Sequence, residues 1–354
     1  MDEIKKIALV IPSLHAGGME RVMSELANYF SEKDNIIVHL IILGKSNKFY
    51  DISNNVIIHE PNFLFNNSYR LLYILKTMYF LRSTIKKIKP YSVLSFGEMY
   101  NSFVLIALKF LNCNIYVSDR SRPDKKWGRV HDFLRQKLYK NATGIISQTS
   151  YSRTFLQKLT NNKNIVVIPN PVIIQNEQKN ERKNIILSVG RLIYSKRLDL
   201  LLKMFSEIDN HDYELWIVGE GTEKDNLVKL AHELMISEKV IFWGARKDIH
   251  FFYKQAKIFA FTSVSEGFPN ALLEALSFGL PSISFDCIAG PSDLIIDGYN
   301  GFLITELDQK TYKEKLIKLM DDNVFVKLAK NTQKHANEFN IEKIGQKYLD
   351  TLLS

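Results

Sequence analysis

Short apolar runs, bounded by turn residues, recur along the chain and alternate with longer stretches whose apolar positions fall three to four apart. Runs of the first kind predict strands and the intervening period predicts helices. In the first half the predicted strands cover 6–11, 36–43, 93–95, 115–118, 144–147 and 165–168. The segment 169–183 is polar, lacks a period and reads as a connector. The alternation then restarts, with strands predicted over 184–189, 214–218, 240–243, 258–261, 281–285 and 301–304. Such alternation builds parallel sheets with helices on both faces. The expected fold is therefore α/β, with two doubly wound Rossmann-like domains over 1–170 and 184–340, and a last amphipathic helix in 341–354 whose docking site the pattern does not name. Two domains of this kind would turn the carboxyl ends of both sheets toward a central cleft, the usual ligand position.

Composition narrows the class. With 46% hydrophobic and 24% charged residues in 354 positions, the chain is an ordinary globular one, and its length favours two cores over one. Cys113 and Cys287 lie in no metal or redox spacing, which fits free thiols in a reducing cytoplasm. The N-terminal apolar run is too short for a signal peptide, and nothing reaches the ~20 apolar residues of a membrane span. The expected protein is soluble or peripheral. Its net charge of +9 is uneven: residues 1–170 hold 24 Lys and Arg against 12 Asp and Glu, which leaves 23 against 26 of the chain totals of 47 and 38. The excess concentrates in 68–90 and 119–140, where basic residues are interleaved with aromatic ones. That pattern serves anionic membranes or nucleic acid, or is a solvated surface.

The stretch SEGFPNALLEALSFGLPSI, 265–283, carries the sharpest chemistry. Pro269 suits a helix start, Gly279 a C-terminal cap, and Pro281 a stop, so a short helix is expected over 270–278. Glu266 and Glu274 flank its N-terminus. Backbone N–H groups at such an end, here those of Phe268, Asn270 and Ala271, favour an anion, while carboxylates accept hydrogen bonds from hydroxyls. Phosphate plus hydroxyls suggests a sugar nucleotide; the plain alternative is acids that complement the helix dipole in solvent. Other turns fall at strand ends. Gly17 and Gly18 in SLHAGGMERV permit close backbone approach, or a merely structural turn. Arg191 and Lys196 in VGRLIYSKR can clamp a diphosphate as fork and point charge, or be surface charges. Gly219 and Gly221 form a truncated Gly-x-Gly, poor support for a dinucleotide cofactor. Trp243 and Arg246 could line a nucleobase, or Trp243 could be core. There is no Asp-x-Asp and no metal-spaced cluster, so a metal-held diphosphate is not expected.

Taken together, the GGMERV turn, VGRLIYSKR, GEG, the Glu-x7-Glu block and FDCIAGPSDLIIDGYNGFL resemble retaining glycosyltransferases of the GT-B fold, family four, across essentially the whole chain. The subgroup it is most similar to makes amylovoran, O-antigen, capsule and N-glycan precursors, a likeness that GGMERV, VSDRSRP and GPSDLIIDGYNG carry. The resemblance implies a hexosyltransferase using a nucleotide sugar as substrate and no cofactor or metal. Arg191 and Lys196 would hold the donor diphosphate and its developing charge, Glu274 the ribose, and Glu266 the sugar hydroxyls, with the amides of Phe268, Asn270 and Ala271 near them. Gly17 and Gly18 would pass against the diphosphate. A UDP-hexose of galactose or N-acetylhexosamine type is the expected donor, with GDP-mannose behind it.

The expected acceptor is a polyprenyl-diphosphate-linked saccharide at the inner face of the cell membrane, which gives the basic half a purpose. Lys76, Arg82, Lys86, Lys87 and Lys89 could meet anionic lipid, and Arg120, Arg122, Lys125, Lys126 and Arg129 the acceptor diphosphate. In one respect the chain departs from the family: many members place a histidine where this one has Ser118-Asp119-Arg120. Asp119 could orient a hydroxyl there, or pair with Arg120 or Arg122. An epimerase or phosphorylase shares the fold. A nucleic-acid-binding protein using the basic half is the rival from another class, and no nucleic-acid partner is expected.

Overall fold

The computed structural model describes residues 3–45, 47–175, 182–209 and 212–354. The connector expected over 169–183 lies outside them at 176–181. The chain divides into two compact units, Met1–Pro171 with Ile341–Ser354, and Val172–Asn340.

In the first unit the strands are β1 (Lys5–Ile11), β2 (Ile36–Ile42), β3 (Ile57–His59), β4 (Ser92–Phe96), β5 (Asn114–Ser118), β6 (Gly144–Ser147) and β7 (Ile165–Val167), with helices α1 (Gly18–Ser31), α2 (Arg70–Ile88), α3 (Glu98–Ala107), α4 (Arg129–Leu138) and α5 (Ser150–Thr160). The sheet order is 3-2-1-4-5-6-7, and the neighbours pair in parallel. Alternation along β1 explains the layering: Ile7, Leu9 and Ile11 pack with Val22, Leu26 and Phe30 of α1, whereas Ala8 and Val10 face Leu81 and Ile85 of α2 and Val104 of α3. The switch point between β1 and β4, where the strand order reverses, opens at the turns after those strands.

The second unit contains β8 (Ile185–Val189), β9 (Glu214–Val218), β10 (Val240–Gly244), β11 (Ile258–Phe261), β12 (Ser282–Asp286) and β13 (Gly301–Thr305), with α6 (Leu198–Ser206), α7 (Lys224–Glu233), α8 (Ile249–Gln255), α9 (Asn270–Ser277), α10 (Pro291–Leu294), α11 (Gln309–Met320) and α12 (Asp322–Ala336). Its parallel order is 10-9-8-11-12-13, the same winding as the first. Ile186 packs toward Leu201 and Phe205 of α6, and Ile185 and Leu187 toward Phe252, Leu272 and Leu276.

The chain then returns to the first unit. Helix α13 (Ile341–Leu353) buries Ile344, Tyr348, Leu349 and Leu352 with the β1 and α1 side chains. Gly345 makes the contact with α1 possible, since a Cβ there would lie 2.4 Å from the Tyr29 ring. The Tyr29 hydroxyl donates to the Glu342 carbonyl at 3.2 Å, and Lys5 Nζ to that of Leu353 at 3.4 Å. The helix without a named docking site is thus an outer layer of the N-terminal sheet. Strand β3 has no counterpart among the expected strands, so the Ser118-Asp119-Arg120 turn follows the fifth strand rather than the fourth.

Candidate active site

In the second unit the turns after β8, β9 and β11 are bound to one another. The turn after β8 donates from Gly190 N to the Val218 carbonyl (3.0 Å) and from Leu192 N to that of Glu220 (2.9 Å), and Glu223 N returns to the Leu192 carbonyl (2.9 Å). The glycines of the Gly-x-Gly turn exist for this approach. Gly219, at φ +146°, has no room for a side chain, because a Cβ would lie 1.8 Å from the Gly190 oxygen; at Gly221 it would lie 2.2 Å from that of Leu192. On the other side, the Thr262 hydroxyl donates to the Lys196 carbonyl and Val264 N to that of Ser195, both at 2.9 Å. Lys196 is therefore fixed from two directions.

A pocket opens among these turns, lined by Ser188, Gly190, Arg191, Lys196, Thr262 and Ser263, with Phe261 as one wall. Arg191 is exposed. Lys196 Nζ donates to Glu266 Oε1 at 2.5 Å, with side chains 19% and 11% exposed, and lies 5.3 Å from the Phe261 ring centre. Two residues expected to hold different parts of one ligand thus meet each other. Ser263, fully buried, points an Oγ without a described partner; nothing in its sequence context distinguishes it from the polar residues around it.

Helix α9 begins after Pro269, whose φ of −84° and ψ of 82° form a tight three-residue turn in which Asn270 N donates to the Phe268 carbonyl at 3.0 Å. This corrects the expected anion set: the Asn270 amide is already used, while those of Phe268 and Ala271 donate to no described residue. A turn on the far side supports the loop, since a Cβ on Gly290 would strike Pro269 Cδ at 2.2 Å. Glu274 accepts from the buried Tyr253 hydroxyl at 2.8 Å, which aims its carboxylate. Trp243 packs at 5.0 Å on Trp216 and 5.2 Å on Phe252, ring centre to ring centre, and Arg246 pairs with Asp248 at 2.8 Å. Trp243 is part of an aromatic cluster rather than an open nucleobase wall.

In the first unit the turn after β1 holds Gly17 and Gly18. The Tyr50 hydroxyl contacts both polar atoms of Gly17, donating to its carbonyl at 3.0 Å and accepting from its N–H at 3.3 Å, so that amide is occupied too. After β5, Asp119 is buried and accepts from Arg135 (2.5 Å), Tyr139 (2.6 Å) and Asn101 (3.2 Å). The partner of Asp119 is Arg135 of α4, not Arg120 or Arg122. Arg122 pairs with Asp124 at 2.6 Å, and Arg82 donates to the carbonyls of Ala107 and Lys109. Glu98 accepts from the amides of Arg120 and Ser121; burial, with the Asp119 charge next to it, pushes its carboxyl pKa up. The Arg120 guanidinium stacks on Phe96 at 3.6 Å, and burial lowers its pKa. Lys86, Lys87, Lys125 and Lys126 are exposed.

Two family descriptions divide the chain between them: Glycosyltransferase Family 4 over residues 16–176 and Glycosyl transferases group 1 over 170–339. The chain belongs to the GT-B glycosyltransferases of the family-four type. One relative of this glycosyltransferase, 27% identical over 97% of each chain, is the GalNAc-alpha-(1->4)-GalNAc-alpha-(1->3)-diNAcBac-PP-undecaprenol alpha-1,4-N-acetyl-D-galactosaminyltransferase of Campylobacter jejuni. Another, 25% identical over 98% of this chain and 99% of its own, is an amylovoran biosynthesis glycosyltransferase of Erwinia amylovora. Among solved structures, the lipopolysaccharide outer core galactosyltransferase WaaB superposes with a TM-score of 0.76 at 22% identity, over 98% of this chain and 99% of that one. It has the same two-domain fold.

Proposed function

We propose that this glycosyltransferase moves a hexose, with retention and without a metal ion, from a UDP-sugar of galactose or N-acetylhexosamine type to a saccharide carried on a polyprenyl diphosphate, in the assembly of bacterial surface polysaccharide. The observation that carries the proposal is the pairing of Glu266 with Lys196, which lines one pocket together with Arg191. A sugar diphosphate offers each of these groups its complement: phosphate oxygens for the two cations and hydroxyls for the carboxylate. As the bond from the sugar carbon to the diphosphate breaks, charge accumulates on the leaving oxygen, where Arg191 and Lys196 do the work a divalent cation does elsewhere. Glu274, oriented by Tyr253, accepts from the donor ribose. The Ser263 hydroxyl and the amides of Phe268 and Ala271 are further donors to the same anion.

The relatives support the donor and acceptor classes: one is named for transfer of N-acetylgalactosamine to a saccharide on PP-undecaprenol, and another for galactose transfer in lipopolysaccharide. The protein would work at the inner face of the cell membrane. The test is a thermal-shift panel in EDTA with UDP, GDP and ADP and their sugar conjugates, on wild type and Glu274→Ala. Stabilisation by UDP ligands that the variant loses is the expected result. A response to GDP ligands alone would transfer the reading to GDP-mannose, and no response to any nucleotide would sink it.

A further inference from the structure

The residue after Lys196 has an unusual backbone. Arg197 closes the turn Tyr194–Lys196 and opens helix α6 with φ 49° and ψ 39°, in the left-handed region. Seven described residues other than glycine have positive φ, and Arg197 is the one flanked by pocket residues, Lys196 before it and Leu198 after it. In that conformation a Cβ crowds the following carbonyl oxygen, a steric cost glycine avoids. Backbone geometry alone would therefore favour glycine at 197. What arginine adds lies in its side chain.

That side chain binds the turn itself. Its Nε and one terminal nitrogen donate to the two carboxylate oxygens of Asp199, both at 3.0 Å, in a bidentate fork. Asp199 lies in the first turn of α6, where the helix dipole also favours a carboxylate. The guanidinium carbon is 5.4 Å from the Tyr194 ring centre, and the Arg197 amide donates to the Tyr194 carbonyl at 3.1 Å. One arginine thus ties the start of the turn to the helix beyond it, across Lys196. The carbonyls of Ser195 and Lys196 are held by Val264 and Thr262, and α6 is held by its buried Leu198, Leu201 and Phe205. Arg197 is the joint between these two anchors.

Placement matters for this lysine. It carries a point charge on a flexible four-carbon stem, so where its ammonium rests depends on how firmly its backbone is held. Its partner Glu266 is the group proposed to read the sugar hydroxyls, so the phosphate nearest Lys196 would be the one that carries the sugar, the β-phosphate. We infer that Arg197 is a positioning residue: locked by Asp199 and Tyr194, it holds the left-handed joint that places the Lys196 ammonium for the β-phosphate of a nucleoside diphosphate. Preorganisation of this kind is what a group aimed at a leaving oxygen requires. The inference rests on the proposed donor reading and adds a residue that acts through Lys196.

The experiment is calorimetric titration, in EDTA, of UDP and of UMP into the full chain as wild type, Arg197→Gly, Lys196→Ala and the double variant. Arg197→Gly keeps the left-handed turn without its steric cost and removes the fork, so its thermal stability should stay close to wild type. Its Kd for UDP should rise about fivefold, while that for UMP, which lacks the β-phosphate, should stay within about twofold. Lys196→Ala should lose the UDP advantage by itself, and adding Arg197→Gly to it should change nothing more, the non-additivity of residues acting in series. Arg197→Lys, which keeps the charge and loses the fork, should behave like Arg197→Gly. Asp199→Asn should weaken UDP in the same direction, and it carries the test if Arg197→Gly does not fold. A wild-type Kd for UDP in the folded Arg197→Gly protein overturns the inference. So does an equal loss for UDP and UMP, or the same loss on the Lys196→Ala background, since Arg197 would then act on the fold at large. A variant that matches a UDP-binding wild type removes this inference alone; a wild type that binds no UDP sinks the donor reading and the inference with it.

Discussion

Glu266→Gln should tighten nucleoside diphosphate binding while slowing transfer. The Lys196–Glu266 pair is 2.5 Å long and largely shielded, with 19% and 11% of the side chains exposed. Exposed ion pairs contribute less than ~1 kcal/mol, and hydrogen bonds to charged groups ~1.5–3. A partly solvated pair belongs near the top of the first range, about 1 kcal/mol. If Lys196 holds the donor diphosphate, that interaction is weakened each time UDP binds. A neutral glutamine of the same shape reduces the competition and removes a charge that repels phosphate. Both effects have the same sign, so the Kd for UDP should fall about fivefold, the equivalent of ~1 kcal/mol. The glutamine is a weaker acceptor for a sugar hydroxyl than a carboxylate, so turnover should fall about tenfold or more. Isothermal titration calorimetry in EDTA, paired with initial rates, reads both. An unchanged or raised Kd in a variant with wild-type thermal stability would refute the competition between Glu266 and phosphate for Lys196.

Asp119→Ala should destabilise the first unit by about 3–5 kcal/mol, because Arg135, 4% exposed at its side chain, would be left as a buried charge without its carboxylate. Urea unfolding reads this, and an Asp119→Ala protein of full stability but no activity would return Asp119 to the reacting groups. Gly219→Ala should abolish the UDP thermal shift, since its Cβ would displace the Gly190 carbonyl and with it the turn carrying Arg191; a normal shift would show that the two turns are not coupled. For His39, burial, with His59 and Lys6 beside it, lowers the pKa from 6.5 to about 4. An unfolded histidine protonates near 6.5, so between pH 6.5 and about 4 the unfolded chain binds a proton the folded one refuses, and stability falls as pH falls, by up to ~1.4 kcal/mol per pH unit. Chemical denaturation across that range should show the loss, and His39→Phe should reduce it; identical pH dependence in the two proteins would exclude His39 as the source.

Why the sequence exposes some of this and hides the rest follows from the range of the interactions. Strands such as Glu214–Val218 are legible because a continuous apolar run is what a parallel strand buried on both faces requires. Ile57–His59, at the sheet edge, is three residues long, and its signal is lost among polar neighbours. Docking of α13 depends on Gly345 meeting Tyr29, more than 300 residues earlier, a match no local pattern encodes. The same holds at the site. Pro269 and Gly279 announce α9 to within a residue, yet the turn that consumes the Asn270 amide is a matter of one ψ angle. Sequence proximity was misleading for Asp119, because its partner comes from α4, sixteen positions on, while Arg120 and Arg122 turn elsewhere.

That last arrangement bears on the departure from the family pattern. Where many members carry a histidine, this chain has three residues that are mostly committed. The Ser118 hydroxyl donates to the Ile146 carbonyl, Asp119 is enclosed by Arg135, Tyr139 and Asn101, and the two amides that follow are tied by Glu98. The Arg120 guanidinium is a different case. It stacks on Phe96, and its Nε and one terminal nitrogen are buried without a described partner. A histidine at this place would titrate near neutral pH, whereas an arginine stays charged throughout that range even with its pKa lowered by burial. The turn after β5 thus carries a permanent positive charge held against an aromatic face rather than a group that gains and loses a proton. Electrostatic stabilisation of a phosphate is within its chemistry, and proton transfer to a leaving group is not.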